Sequence, residues 1–164
     1  MVPEGYERLD PRYVDVRQMA GMISAAVWST IALFGLTTFV FAAGVSWMKT
    51  GVAGLGWLVG FAALVWWRRR WPVIAYAHAC YRIDEAGIEI RKGVVWRSIV
   101  NVPRSRVQHT DVSQGPIERR FGLSTLIIHT AGTEHAQVTL AGLSRPVAIT
   151  LRDQLLPRDG RDAV

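Results

Sequence analysis

Four histidines, a single cysteine and scattered hydroxyls are the residues of this chain able to hold a metal or attack a substrate. His129 and His135 flank a predicted hairpin turn, and His109 falls on a neighbouring predicted strand. A zinc site needs three or four Cys, His or carboxylate ligands at workable spacing. No HExxH pattern is present, and Cys80 stands alone, which excludes both an internal disulfide and a CxxC site. The histidines therefore read as solvated or structural, with no metal and no cofactor expected. Ser105, His109 and Asp111 form a nucleophilic triad only on paper, because no GxSxG elbow accompanies them. Walker A and GxGxxG strings are absent as well. The chain is expected not to be an enzyme.

Basic groups are the more informative set. Arg104, Arg106, Arg119 and Arg120 flank breaks at Pro103 and Gly115-Pro116, where loops are expected. Placed near an anionic leaflet, each contributes about 1 kcal/mol of attraction. They are the candidate contacts for membrane lipids or a protein partner. Nucleic acid is not an expected partner, since no recognition motif or base-stacking aromatic signature accompanies the charge.

The charge distribution shows which elements must carry these groups. Residues 1–17 hold three Arg against four acids, the next fifty hold one charge, Lys49, and residues 68–164 hold fifteen bases and nine acids. Between Gln18 and Met48 no side chain is charged, and a second charge-free run extends from Thr50 to Trp67. A membrane span takes about 20 apolar residues. Two antiparallel spans are predicted, at about 19–45 and 51–67, joined by Ser46-Trp47-Met48-Lys49-Thr50-Gly51. The first run is too long, and its leading segment too acidic, for a signal peptide cleaved after Val40-Phe41-Ala42.

Arg68, Arg69 and Arg70 follow the second span, against Lys49 alone in the turn. The positive-inside rule puts both termini on the cytoplasmic side of an inner (plasma) membrane, and Trp66, Trp67 and Trp71 read as the aromatic belt there. Gly21, Ala25 and Ser29 on the first span, and Gly56 and Gly60 on the second, recur at four-residue spacing. Each set makes a small-residue face, suited to packing within the hairpin, to contact with another membrane protein or to a homo-oligomer.

After Arg70, Gly and Pro punctuate short segments. Strands are predicted at Ala79–Ile83, Ile88–Arg91, Val94–Val102, Val107–Ser113, Leu123–Thr130 and Ala136–Leu140, with turns at Asp84-Glu85-Ala86-Gly87 and Ala131-Gly132-Thr133. Ile117–Phe121 suits one helical turn, and Pro146–Leu156 a terminal helix with Pro in its first turn. The expected organisation is a short cytoplasmic segment (1–17), a transmembrane hairpin (18–70), a mainly-β domain (71–157) and a charged tail (158–164). Strands followed by one helix imply a bent sheet or partial barrel capped by that helix.

Four strings in this domain bear on its family: Val102-Pro103-Arg104-Ser105-Arg106-Val107-Gln108; Gln114-Gly115-Pro116-Ile117-Glu118-Arg119-Arg120-Phe121-Gly122-Leu123; Ile128-His129-Thr130-Ala131-Gly132; and Leu140-Ala141-Gly142-Leu143. In this order they resemble the bacterial pleckstrin-homology domains of YdbS-like membrane proteins, over roughly residues 71–157. The resemblance implies a strongly bent sheet of about seven strands closed by a C-terminal helix and preceded by a two-span hairpin. Pattern alone supplies five or six strands, and the seventh comes from the resemblance. It further implies a non-enzymatic interaction or scaffold subunit, partnered by a larger membrane protein carrying several such domains. Phosphoinositide recognition is not expected, because the first strand-to-strand loop reads as acidic Asp84-Glu85-Ala86-Gly87.

Overall fold

The computed structural model describes residues 5–44, 46–131 and 137–156. His135, the Gly132-Thr133 part of the predicted turn and the tail from Pro157 lie outside them. The chain forms two compact units, one of residues 17–73 and one in which residues up to 16 join those from 74 onward.

In the first unit, helix α1 (Tyr13–Ala42) and helix α2 (Trp47–Ala77) carry the two apolar runs. At about 1.5 Å per residue, a helix of this length outreaches a hydrocarbon core of about 30 Å. Large apolar side chains such as Trp28, Phe34, Phe41, Leu55 and Val59 are exposed all around the pair. Lipid is the solvent such a surface requires. Two sequence boundaries are corrected. The connection is only residues 43–46, and Trp47 to Gly51 already belong to α2. At the other end, α2 runs ten residues past the charge-free stretch, through Pro72, to Ala77.

The second unit holds seven strands among the described residues. β1 (Glu7–Arg8), β2 (Cys80–Asp84), β3 (Gly87–Lys92) and β4 (Ser98–Pro103) form one antiparallel sheet in that order. β5 (Val107–Ser113), β6 (Leu123–Thr130) and β7 (Gln137–Ser144) form the other. A short α3 (Pro116–Arg120) links β5 to β6, and α4 (Arg145–Leu155) follows β7. Ala148, Leu151 and Leu155 of α4 are buried at helical spacing and meet Tyr81, Ile88, Val102, Leu126, Ile128 and Leu143 in one core. Val147 and Ile149 of the same helix stay exposed.

The seventh strand is β1, and it lies ahead of the membrane helices. The segment 1–17 was expected to be separate, but residues 5–16 are built into the β-rich unit. Glu7 pairs with Tyr81 and Arg8 with Cys80, and the amide of Asp10 donates to the Gly142 carbonyl at 2.8 Å. Leu9 is buried, and its carbonyl accepts from the Tyr76 hydroxyl at 2.9 Å. Tyr81 donates to Glu7 at 2.7 Å, and burial followed by this carboxylate pushes its phenol pKa up. Tyr6 donates to Glu89 Oε1 at 2.7 Å, and Arg91 Nε donates to the same oxygen at 2.7 Å while its guanidinium lies 4.4 Å from the Tyr6 ring centre. The Tyr6 hydroxyl and then Arg91 hold the Glu89 carboxyl below its ordinary value.

Two consequences follow. Backbone pairing of β1 with β2 requires both to share one aqueous side, so the chain between them crosses a membrane an even number of times. Further, the first strand-to-strand connection is the membrane hairpin itself, and Asp84-Glu85-Ala86-Gly87 is the second. The acidity of Asp84-Glu85-Ala86-Gly87 therefore lies at the second connection and does not bear on phosphate recognition at the first.

Candidate functional site

The four candidate arginines separate into two pairs. Arg104 and Arg106 bound a 3-10 turn ahead of β5, whereas Arg119 and Arg120 end α3 beyond its far end. At about 3.4 Å per residue the seven-residue β5 holds the pairs about 20 Å apart. They do not form one patch. Arg104 donates to the Leu156 carbonyl at 3.2 Å and lines a hollow of about 560 Å³ with Asp84, Glu85 and Asp153. Its charge therefore faces acids. α3 is held by Glu118, which accepts from the Gly115 amide at 2.8 Å and the Thr125 hydroxyl at 2.7 Å.

The small-residue faces also diverge. Gly21 and Ala25 are buried in the hairpin seam with Ser29 half-buried beside them, and a Cβ on Gly21 would lie 3.4 Å from Arg68 Cδ. On α2 the half-buried positions include Gly54, Trp57, Phe61, Leu64 and Arg68, spaced along one face. Gly56 and Gly60 are exposed, with no described atom within 4 Å of a Cβ built on either. One set packs the hairpin and the other leaves a helix face open.

At the arginine-bearing end of the hairpin, a cleft of about 440 Å³ lies between the helices. Arg17 and Gly21 line it from α1, and Trp67, Arg68 and Trp71 from α2. Trp67 and Trp71 stack with ring centres 5.2 Å apart, and the Gln18 side-chain amide donates to the Arg69 carbonyl at 2.9 Å. Trp66, Arg69 and Arg70 remain exposed.

One surface went unread in the sequence. Val94–Val102 was expected as a continuous strand, but β4 starts at Ser98, and residues 93–97 form a loop. Gly93 turns it with φ +112°, where a Cβ would overlap the Trp96 carbonyl oxygen. Val95 and Trp96 in the loop are 74% and 89% exposed, and Ile99 on the adjoining β4 is 62% exposed. Lys92 and Arg97 flank them, and β4 has no second partner strand among the described residues. Polar interruption at Arg97-Ser98 was the available signal, and it was outweighed by the β-branched residues around it.

Ser105 of the paper triad forms no hydrogen bond to His109 or Asp111 among the described residues, and Cys80 is buried. Comparison with known proteins agrees with this architecture. The transmembrane protein YdbS of Bacillus subtilis (strain 168), named as UPF0699, is 35% identical over 106 residues. The aligned region covers 65% of this chain and 63% of that relative, which is less than two thirds of its length. No solved structure matches the chain. The family described as Bacterial PH domain matches residues 21–159, most of the sequence, and the chain belongs to that family.

Proposed function

We propose that this protein is a non-enzymatic, membrane-anchored interaction subunit whose PH-like unit docks against another membrane protein, one carrying several such domains. The observation that carries this reading is the β3–β4 loop. On a unit whose other large apolar side chains are mostly covered, Val95, Trp96 and Ile99 stand in solvent together, beside a sheet edge. Exposed clusters of this kind mark interaction surfaces, and a buried Trp commonly contributes about 2 kcal/mol or more to an interface. An open sheet edge next to it suits strand addition from the partner. The arginines at 68–70 favour a cytoplasmic placement in the bacterial inner membrane. The experiment is purification from native membranes in mild detergent, comparing wild type with Trp96→Ala and Val95→Ser. Loss of a co-purifying membrane protein at unchanged expression supports docking. Equal recovery from both variants refutes the loop as the contact.

A second reading is favoured by the hairpin cleft. Arg17 and Arg68, one from each helix, line this cleft together with Trp67 and Trp71 and suit the phosphate of an anionic lipid headgroup. This set replaces the dispersed arginines as the lipid candidate. Native mass spectrometry of the protein in detergent, with and without Arg17→Gln and Arg68→Gln, tests it. Retention of anionic lipid by the double variant removes this reading.

A further inference from the structure

β5 and β6 bring together three side chains that read as unrelated solvated groups. His109 lies directly opposite His129 in the strand register, and Asp111, two residues along β5, projects on the same side. That arrangement depends on an irregularity. Between Val107 and His109 β5 advances two residues while β6 advances one. The bulge changes the parity of β5: Val107 and Thr110 are buried, while His109 and Asp111 face outward. Without it, His109 would share the inward face of Val107. Bulges that re-aim one side chain are common beside functional sites.

The geometry of the cluster suits one ligand class. The imidazole rings of His109 and His129 stack with centres 4.1 Å apart and planes 13° apart. Asp111 Oδ2 lies 3.4 Å from His129 Nε2 and 3.9 Å from His109 Nε2. One donor atom from each of the three lies within 4.8 Å of the others. A zinc ion bound at about 2.0–2.2 Å by N and O donors holds them about 3.4 Å apart in a tetrahedron. One pair already has that spacing, and the side chains are exposed enough to close the rest by rotation. Two neutral imidazoles and a carboxylate are also the donor set that late first-row divalent ions favour.

We infer that His109, Asp111 and His129 form a binding site for a divalent transition-metal ion of the zinc class, clamping β5 to β6 and leaving one coordination position open to water. The full-length protein in detergent or nanodiscs is titrated with Zn²⁺ by calorimetry and with Co²⁺ by visible absorption, whose intensity reports low-coordinate binding. One ion per chain is expected, with a rise in thermal stability from mass action on the folded state. His109→Ala, His129→Ala and Asp111→Asn are each expected to weaken binding at least tenfold and to abolish the Co²⁺ band. His109 and Asp111 are exposed and His129 is half-buried, none of them in the core, so the variants should fold, and unaltered unfolding in chelator checks this. His78→Ala, at an exposed histidine just past the end of α2, should bind as wild type does. Binding that survives the three substitutions, or no saturation by about 1 mM Zn²⁺, overturns the site.

Discussion

Truncating Leu9 measures how firmly the segment before the membrane is held. Leu9 is 6% exposed in the core with Tyr81 and Leu143, and its substitution by Ala removes a side chain from a packed site. Such changes cost about 2–5 kcal/mol, and the low end applies because a terminal segment relaxes more freely than a central strand. A loss of about 2–3 kcal/mol raises the population of the opened state about 30- to 150-fold. Cys80 reports that opening directly, being the single cysteine, buried, and paired in register with Arg8. Its labelling rate by a small thiol reagent follows the opening equilibrium when reclosing is faster than reaction. Leu9→Ala in nanodiscs should therefore label about 30- to 150-fold faster than wild type, whereas Arg8→Ala, exposed on the same strand, should stay close to it. Equal rates for Leu9→Ala and wild type would refute the claim that β1 is part of the folded unit.

Other outcomes follow from the same contacts. Gly142 has φ +81°, and a Cβ there would sit 2.5 Å from Tyr13 Cγ, so Gly142→Ala should destabilise the unit by about 2–5 kcal/mol in thermal unfolding. Glu89 has its folded pKa below 4.5, so its contribution is present above that value and is lost as pH falls through the lowered one. Hydrogen-exchange protection at β1 and β2, taken relative to the intrinsic rate at each pH, should accordingly fall below about pH 4.5, and less so in Glu89→Gln. Gly56→Leu with Gly60→Leu should leave protease resistance of the β-rich unit unchanged while reducing retention of a membrane partner, because bulk there blocks a close helix approach. Full retention would mean that this open face is not a contact.

The membrane hairpin was legible because lipid demands length and apolarity, and both survive in a bare sequence. Boundaries were less so. α2 continues through Arg68–Pro72, where charge suggested an end, since leaving the hydrocarbon does not oblige a helix to stop. The six downstream strands were found from alternation and turns, and Asp84 closes its turn by accepting from the Ala86 and Gly87 amides at 3.0 and 3.1 Å. β1 escaped because a two-residue strand has no periodicity, and its partner lies over seventy residues away. The candidate site was less legible still. Sequence proximity grouped four arginines that β5 holds apart, while Arg17 and Arg68 come to line one cleft only through helix packing. The alignment of His109 with His129 depends on a bulge that no local pattern signals.

The membrane hairpin is inserted between the first two strands of one PH-like sheet. Arg8→Cys tests it most directly, because residue 8 faces Cys80 across the β1–β2 pair. Oxidation in native membranes should link the two thiols within one chain, seen as loss of both free thiols and a reducible gel shift. Glu7→Cys, opposite Tyr81, should leave Cys80 free. Free thiols at both positions in oxidised Arg8→Cys, with the protein intact and folded, would contradict the account.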